Sequence, residues 1–307
     1  MNRSIFVGAI LLAAPLACVA DMMSIPSPGV TVMEPKQDAV IAWSGKQEVI
    51  YLKTTQKATA ATPVVEVMPL PSKPDVDVCD KDFFKRMAII TPRKVVRNDG
   101  AAAGGADPFA SAGGAPPPSP PAGEVVEVKR MGVHDLTTVK VVDKDHFTKW
   151  LQERFGKDRK IEVTPKMLEL VEAYLKDNYQ WFLFDRIDLT TELQEKEALR
   201  ICFESNVLYY PLRISRTEEG ATQCSLTIVT NEVFGPTDFF GLPRDRVRLF
   251  NHPISVSGAN IRWVDEIMWN VLGKPAEAKI RTWEINAMID SLTADILVEP
   301  NHKPVKK

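Results

Sequence analysis

The sequence lacks the features that mark several large classes of protein. Its 307 residues include four cysteines, too few for the disulfide-dense scaffold of a small secreted domain. Its 38 basic and 40 acidic residues leave a formal charge of −2, so no excess of positive charge is available to bind nucleic acid. Beyond the N-terminus no apolar run approaches the length of a transmembrane helix, which excludes a polytopic membrane protein.

The short motifs of several enzyme classes are also missing. The sequence contains no G-x-S-x-G nucleophile elbow, no phosphate-binding G-x-x-x-x-G-K-[ST], no G-x-G-x-x-G and no H-E-x-x-H. It has no C-x-x-C pair and no Cys/His pair at ligand spacing. We therefore predict no catalytic residues, no metal ligands and no cofactor, and we favour a protein that is not an enzyme.

The first 20 residues are typical of a secretory signal peptide. Met1–Arg3 is a short basic start, and Ile5–Ala14 is an apolar run too short to span a bilayer stably. Cleavage after Ala20 would leave small residues at the positions that signal peptidase contacts. A less favoured interpretation makes Cys18 the lipid-bearing cysteine of a lipoprotein, although Pro15 stands where such signals carry leucine. We predict export to the periplasm or the cell exterior.

Export would place the remaining cysteines in a compartment that permits disulfides. These cysteines are Cys79, Cys202 and Cys224. Strands predicted at Leu199–Phe203, Tyr209–Ser215 and Gln223–Thr230 would form a meander, which separates Cys202 from Cys224 by roughly 9–10 Å. A disulfide needs Cα atoms within about 7 Å. We therefore predict that Cys202 and Cys224 are not bridged.

Proline and glycine are concentrated in residues 99–123. Phe109 is the one apolar side chain larger than alanine in this segment, so burial cannot offset its ordering entropy. We predict a disordered Pro/Gly/Ala-rich insertion within a single domain that spans 21–300, followed by a basic tail at 301–307. A role as a proline-rich ligand is less favoured, because no aromatic or basic anchor flanks the prolines.

Strand patterns cluster along the sequence instead of alternating strictly with helices. Asp38–Trp43 and Gln47–Thr54 flank a short turn and predict a hairpin. Asp145 is the predicted N-cap of one helix, and Thr164 with Pro165 is predicted to start another. Other predicted elements are a helix at Asp80–Ala88 and strands at Pro63–Met68, Glu124–Lys129, Leu136–Val142, Trp181–Leu189, Lys279–Asn286 and Ile296–Val298. This order predicts an α+β fold with a mainly antiparallel sheet and a few packed helices.

Five segments in this order resemble the bacterial family catalogued as domain of unknown function 2330. They are Gln37–Trp43, Val67–Pro74, Gly132–Asp135 running into Phe147–Leu151, Val207–Ser215 and Leu292–Leu297. The resemblance covers residues 31 to 300 and implies one domain with the proline-rich segment inserted in it. It implies no activity. The chain departs from the family where Val133-His134 replaces the family's Pro-Tyr, and it lacks the cysteine-glycine start that is common after the family's signal peptide.

Three charged groups are the candidates for chemistry. His134-Asp135 offers a general base with a carboxylate, although a solvated pair at a turn is favoured. Asp143, Asp145 and His146 offer metal ligands, although an N-cap explains them more simply. The third group offers a charged cleft, although a solvated strand edge is favoured; it consists of Asp185, Arg186 and Asp188.

Arginines supply the candidate ligand-binding residues. Arg213 would clamp a carboxylate or, as the favoured interpretation, form a structural ion pair with Glu204. The second candidate is a basic strand face beside an aromatic loop, and its residues are Arg244, Arg246, Arg248, Phe239 and Phe240. A solvated arginine face with the loop packed on the core is the favoured alternative.

The sequence therefore predicts an exported α+β protein that acts as a non-catalytic binding or envelope-associated module. The alternative is an extracytoplasmic hydrolase with an unrecognised active site, which would need polar groups that converge in a pocket. The expected partners are an envelope protein or an anionic ligand, and nucleic acid is excluded by the charge balance.

Overall fold

The computed structural model describes residues 22–91, 125–155, 163–218, 220–233, 244–250 and 253–300. The predicted signal peptide, the predicted insertion at 99–123 and the predicted tail at 301–307 lie outside the described residues. The described residues form two large, mostly antiparallel sheets, a small third sheet and several helices. The predicted α+β class is confirmed.

The helices and strands are as follows. In chain order the strands are β1 (Met23–Ile25), β2 (Val32–Trp43), β3 (Gln47–Ala58), β4 (Thr62–Leu70), β5 (Asp75–Val78), β6 (Val125–Met131), β7 (His134–Lys140), β8 (Trp181–Leu189), β9 (Gln194–Glu195), β10 (Leu199–Glu204), β11 (Leu208–Tyr210), β12 (Ala221–Thr230), β13 (Val247–Leu249), β14 (Ile254–Ser257), β15 (Glu277–Met288) and β16 (Ile296–Val298). The α-helices are α1 (Phe83–Ile90), α2 (Lys144–Phe155), α3 (Pro165–Lys176), α4 (Gly258–Val264) and α5 (Glu266–Val271).

Two sheets carry most of the strands. One has five strands in the order β1-β4-β8-β7-β6, and every neighbouring pair is antiparallel. The main path of the other runs β13-β15-β12-β2-β3-β10-β5, with β14 beside β15 and β9 beside β3. Within it, β12 and β2 pair in parallel. Strands β11 and β16 form the small third sheet.

The predicted N-terminal hairpin forms the centre of the larger sheet. Strands β2 and β3 pair around a turn in which Gly45 adopts a φ of +86°, a conformation that favours glycine. Both strands extend beyond their predicted bounds. The added residues include Glu34, which lies at an irregularity in the pairing of β2 with β3, and Gln56, which pairs with Gln194 of β9. Alternation of apolar residues therefore underestimates the length of these strands.

Alternate residues of β3 enter two different cores. Ile50 and Leu52 belong to the core shared by both large sheets, whereas Val49 and Tyr51 pack on the opposite side of their sheet. Tyr51 stacks on Phe83 of α1 with ring centroids 3.9 Å apart. The larger sheet thus separates the inter-sheet core from a helical layer of α1, α4 and α5.

Helices α2 and α3 cover the five-stranded sheet. Trp150 of α2 packs against Phe184 of β8, with 4.3 Å between ring centroids. Helix α3 begins as predicted, because the Thr164 hydroxyl accepts a hydrogen bond from the Met167 N–H and Pro165 occupies the first turn. None of the helices within the described ranges is long and apolar enough to cross a membrane.

The predicted meander is wrong, but the prediction about the cysteines is confirmed. Strands β10 and β12 belong to one sheet and are separated by β2 and β3. The predicted strand Tyr209–Ser215 is shorter, because Pro211 cannot donate to a ladder and the chain turns into a 3-10 helix at Arg213–Thr217. Cys202 and Cys224 are not bridged, and neither of them pairs with Cys79.

Candidate functional site

A cluster of ionisable and amide side chains lies between the two large sheets. We call it the inter-sheet charged cluster, and its members are Glu34, Gln56, Glu66, His134, Asp185 and Lys196. The members come from five strands, β2, β3, β4, β7 and β8, and from the segment between β9 and β10. All of these side chains are buried, so each charge must be balanced by a partner within the protein.

Gln56 and Lys196 hold the two glutamates in the cluster. The Gln56 Nε2 donates to Glu34 Oε2 at 2.5 Å and also to Glu66 Oε1. The Lys196 ammonium donates to Glu66 Oε2 at 2.6 Å. Burial lowers the pKa of Lys196, but the negative charges of Glu66, Asp185 and Glu34 outweigh it, so the pKa is raised. Lys196 is therefore a permanent internal cation.

His134 is bonded through both ring nitrogens. Its Nδ1 lies 2.5 Å from Asp185 Oδ2, and its Nε2 lies 3.0 Å from the Glu197 carbonyl oxygen. Both partners are acceptors, so the ring donates from both nitrogens when it is protonated. Burial lowers the pKa of His134, yet the hydrogen bond and charge of Asp185 raise it further than burial lowers it. His134 therefore favours the cationic form and has no free nitrogen to act as a general base.

The predicted solvation is wrong for His134, Asp135 and Asp185 and confirmed for Asp188. Strand β8 lies between β4 and β7, so Asp185 is an internal residue of the sheet and is fully buried, whereas Asp188 near the strand end is exposed. His134 and Asp135 point to opposite faces because they are adjacent on β7. Asp135 is buried on the other face, with Arg130 at 3.4 Å and Arg154 at 3.8 Å.

The arrangement is suited to bracing the sheets. Three carboxylates face two cations, so the cluster retains one excess negative charge when all five groups are ionised. It offers neither a nucleophile nor an unbonded imidazole nitrogen. The cluster can hold strands from both sheets at a fixed distance. Its net charge can also change with pH through protonation of His134.

Replacing His134 by glutamine is expected to destabilise the protein most at acidic pH. Because the folded-state pKa of His134 is raised, its contribution is fully present below the unfolded value of about 6.5 and is lost as pH rises through the folded value. We expect the free energy of unfolding to fall by about 2 kcal/mol at about pH 5.5 and by less at about pH 9.

Urea denaturation of wild type and His134→Gln at both pH values measures this difference. Asp185→Asn is the matched partner, and the double variant should lose little more than either single variant because both substitutions break the same pair. An equal loss at both pH values would show that the proton on His134 contributes nothing.

Arg213 is held by acids other than the predicted one. Its guanidinium lies 2.9 Å from Asp177 Oδ2 and 3.5 Å from Asp295 Oδ2, and it stacks on the Tyr174 ring at 4.2 Å. The predicted ion pair with Glu204 is wrong, because Arg213 lies in a 3-10 helix and not on a strand beside β10. The favoured interpretation of a structural ion pair fits this geometry with different partners.

The predicted basic strand face does not form. Arg244–Arg246 is a 3-10 helix, and the strand β13 begins only at Val247, where it pairs with β15. Strand β14 pairs with another part of β15, so only a short length of β15 is left to pair with β13. Arg246 lies beside Asp245 at 3.3 Å, and Arg248 lies over the Phe250 ring at 5.4 Å. Phe239 and Phe240 lie outside the described residues, so a binding role for this segment stays a prediction.

The Asp143 group caps a helix. The Asp143 carboxylate accepts a hydrogen bond from the His146 N–H at 2.7 Å, so Asp143 is the cap of α2, and Asp145, the predicted cap, lies in the first turn. Within the described ranges no three or more Asp, Glu, His or Cys residues are arranged to hold a metal ion.

Sequence reasoning missed Glu34, Gln56, Glu66 and Lys196. One signal was present for Glu66, because it alternates with Val64 and Met68 and must share their buried face. The others stand in polar stretches that have no such pattern. Their burial depends on the contact between the two sheets, which brings together groups as distant in sequence as Lys196 and Glu66.

Comparison with known proteins assigns a family but no activity. The family model described as "Uncharacterized protein conserved in bacteria (DUF2330)" matches residues 14–239. No curated protein matches the chain, and no solved structure matches it.

Proposed function

The chain belongs to the DUF2330 family of proteins conserved in bacteria, and we propose that it is exported from the cytoplasm and acts as a non-catalytic binding module. The family carries no assigned activity, so the proposal is based on the residues of this chain. It has two parts, a location and a mode of action, and each part has its own test.

One observation supports the non-catalytic part above all others. The His134 side chain is 1% exposed, and both of its ring nitrogens are engaged, one by Asp185 and one by the Glu197 carbonyl. A general base needs a nitrogen within reach of a substrate proton. A histidine paired with a carboxylate, as His134 is with Asp185, is also what the hydrolase alternative would need. For that function the Glu197 segment would have to move away from His134, and a hydroxyl nucleophile would have to approach it.

Export is supported by the position of the first buried residues. Met22 and Met23 are 3% and 0% exposed and both follow Ala20, so the predicted cleavage would leave these buried residues in the mature protein. If Cys18 carried a lipid instead, Val19, Ala20 and Asp21 alone would separate it from the core, and the domain would lie directly on the membrane.

The full chain with a C-terminal tag is expected to leave the cytoplasm when it is expressed in a bacterium. Its mature N-terminus should be Asp21, because signal peptidase requires small residues before the cut and Ala20 supplies one. Fractionation followed by mass spectrometry of the N-terminal peptide checks both points. A lipid-modified peptide that begins at Cys18 would identify the lipoprotein form, and intact chain in the cytoplasm would contradict export.

A further inference from the structure

A cavity of about 530 Å³ lies where β3 begins and β10 ends. We call it the strand-end cavity. Its walls come from these strands, from the link between β4 and β5, and from α5. Its lining residues include Ser72, Lys73, Asp75, Glu204, Ile267 and Val271. Its volume is in the range of small-molecule sites in proteins.

The floor of the strand-end cavity is apolar and its wall is held in place. Ile267 and Val271 of α5 supply the apolar surface, on which a hydrocarbon side chain could be buried. The Ser72 hydroxyl donates to the Glu204 carbonyl oxygen at 2.7 Å, which ties the link between β4 and β5 to the end of β10. The cavity is therefore a feature of several elements together.

Two opposite charges on the lining remain unpaired. Neither the Lys73 ammonium nor the Glu204 carboxylate forms an ion pair with any of the described residues, and they do not pair with each other. The other ionised carboxylate on the lining, Asp75, is already paired with Lys129 at 3.1 Å. The cavity thus presents one available positive charge and one available negative charge.

Glu48 is among the lining residues, but its side chain lies on the face of β3 that it shares with Ile50 and Leu52. Its Oε2 accepts a hydrogen bond from the Tyr209 N–H at 2.9 Å, and its Oε1 has no hydrogen-bond partner among the described side chains and backbone. Burial raises the pKa of Glu48 well above its usual value. The Glu48 side chain is 0% exposed, so a ligand in the strand-end cavity does not reach its carboxyl group.

We propose that the strand-end cavity binds a short peptide with free termini and an apolar side chain. The peptide's ammonium would pair with Glu204, its carboxylate with Lys73, and its side chain would cover the apolar floor. The Lys73 and Glu204 side chains are both exposed to solvent, so they are accessible to the two charged termini of a peptide. This inference deepens the proposed binding function and rests on it.

Titration of the purified mature protein with the dipeptide Leu-Leu, followed by calorimetry, tests the assignment. The matched ligand is N-acetyl-Leu-Leu-amide, which keeps both side chains and lacks both charges. We expect saturable binding of Leu-Leu, and binding of the uncharged ligand that is weaker by at least about tenfold. Equal binding of the two ligands, or no binding of either, would overturn the proposal.

Two variants locate the site. Lys73→Met should weaken Leu-Leu binding by about tenfold while binding of the uncharged ligand stays the same. Val271→Trp should fill the cavity and abolish binding of both ligands, and its thermal unfolding shows whether it has folded. Lys149→Met is the control, because this exposed lysine on α2 is not part of the cavity lining. Unchanged binding in Lys73→Met would overturn the assignment.

The same samples separate this proposal from the proposed function. Release of free leucine from Leu-Leu by the wild-type protein, but not by His134→Gln, would contradict the non-catalytic function. If Leu-Leu neither bound nor released leucine, the assignment of the strand-end cavity would be overturned. The proposed export would be unaffected, because the fractionation experiment tests it separately.

Discussion

Replacing Lys196 by methionine is expected to lower the free energy of unfolding by about 3–5 kcal/mol at about pH 7. The Lys196 ammonium is the permanent cation of the inter-sheet charged cluster, and it lies 2.6 Å from Glu66 Oε2. Methionine fills a similar volume but leaves the buried Glu66 carboxylate without its cation. Urea denaturation followed by circular dichroism measures the loss.

The pH dependence of that variant gives a second test. A buried carboxylate that has lost its cation has a raised pKa, so it is protonated in the folded protein as pH falls. We therefore expect the deficit of Lys196→Met to shrink between about pH 7 and about pH 4.5. Glu66→Gln combined with Lys196→Met should recover part of the lost stability, because the uncompensated charge is then removed.

Lys149→Met is the surface control for this series. Lys149 lies 3.9 Å from Glu153 on the exposed face of α2, and exposed pairs contribute little to stability. A deficit in Lys196→Met no larger than that of this control would contradict the bracing role of the cluster.

Features with a local cause could be predicted from the sequence. Strands β8 and β16 have the bounds that were predicted, Trp181–Leu189 and Ile296–Val298. Strand β16 is one short apolar run, and β8 begins with four apolar residues and has two more, Ile187 and Leu189, near its end. The start of α3 was predicted because a capping hydroxyl and a following proline act within one turn. The α+β class follows from the order of such elements along the chain.

Features that depend on distant pairing could not be predicted. His134 and Asp185 are 51 residues apart in sequence and meet because β7 and β8 are neighbours. Nothing in the residues adjacent to either one indicates that pairing. Charged residues in strands were therefore interpreted as solvated, which is their usual state, whereas here opposite charges from different strands bury one another.

The candidate sites also depend on residues that are distant in the sequence, so their composition could not be predicted. The sequence indicates that Arg213 forms an ion pair but not with which residues. Its partners are Asp177, which follows α3, and Asp295, which precedes β16, and both are far from Arg213 in the sequence. The strand-end cavity has no motif at all, because its lining residues come from separate segments and share no spacing. Folding alone brings Lys73 and Glu204 to one cavity.

Removing residues 21–25, so that the chain begins at Pro26, is expected to prevent stable folding. Strand β1 pairs with β4 along three residues, and the Ser24 N–H donates to Glu218 Oε1 at 3.1 Å. Met22, Met23 and Ile25 are at most 3% exposed. Their combined burial contributes roughly 5–9 kcal/mol as an upper estimate, which is comparable with the whole stability of a typical domain.

This expectation connects the fold with the proposed export. If β1 is required, signal peptidase must cut before Met22, a condition that the predicted cut after Ala20 satisfies. The control is the chain that begins at Asp21, which retains the whole of β1. Thermal unfolding of the two chains, with hydrogen exchange of β4 amides, compares them directly. If the chain that begins at Pro26 unfolded at the same temperature as the control, β1 would be dispensable, and the cleavage site would no longer be constrained by the fold.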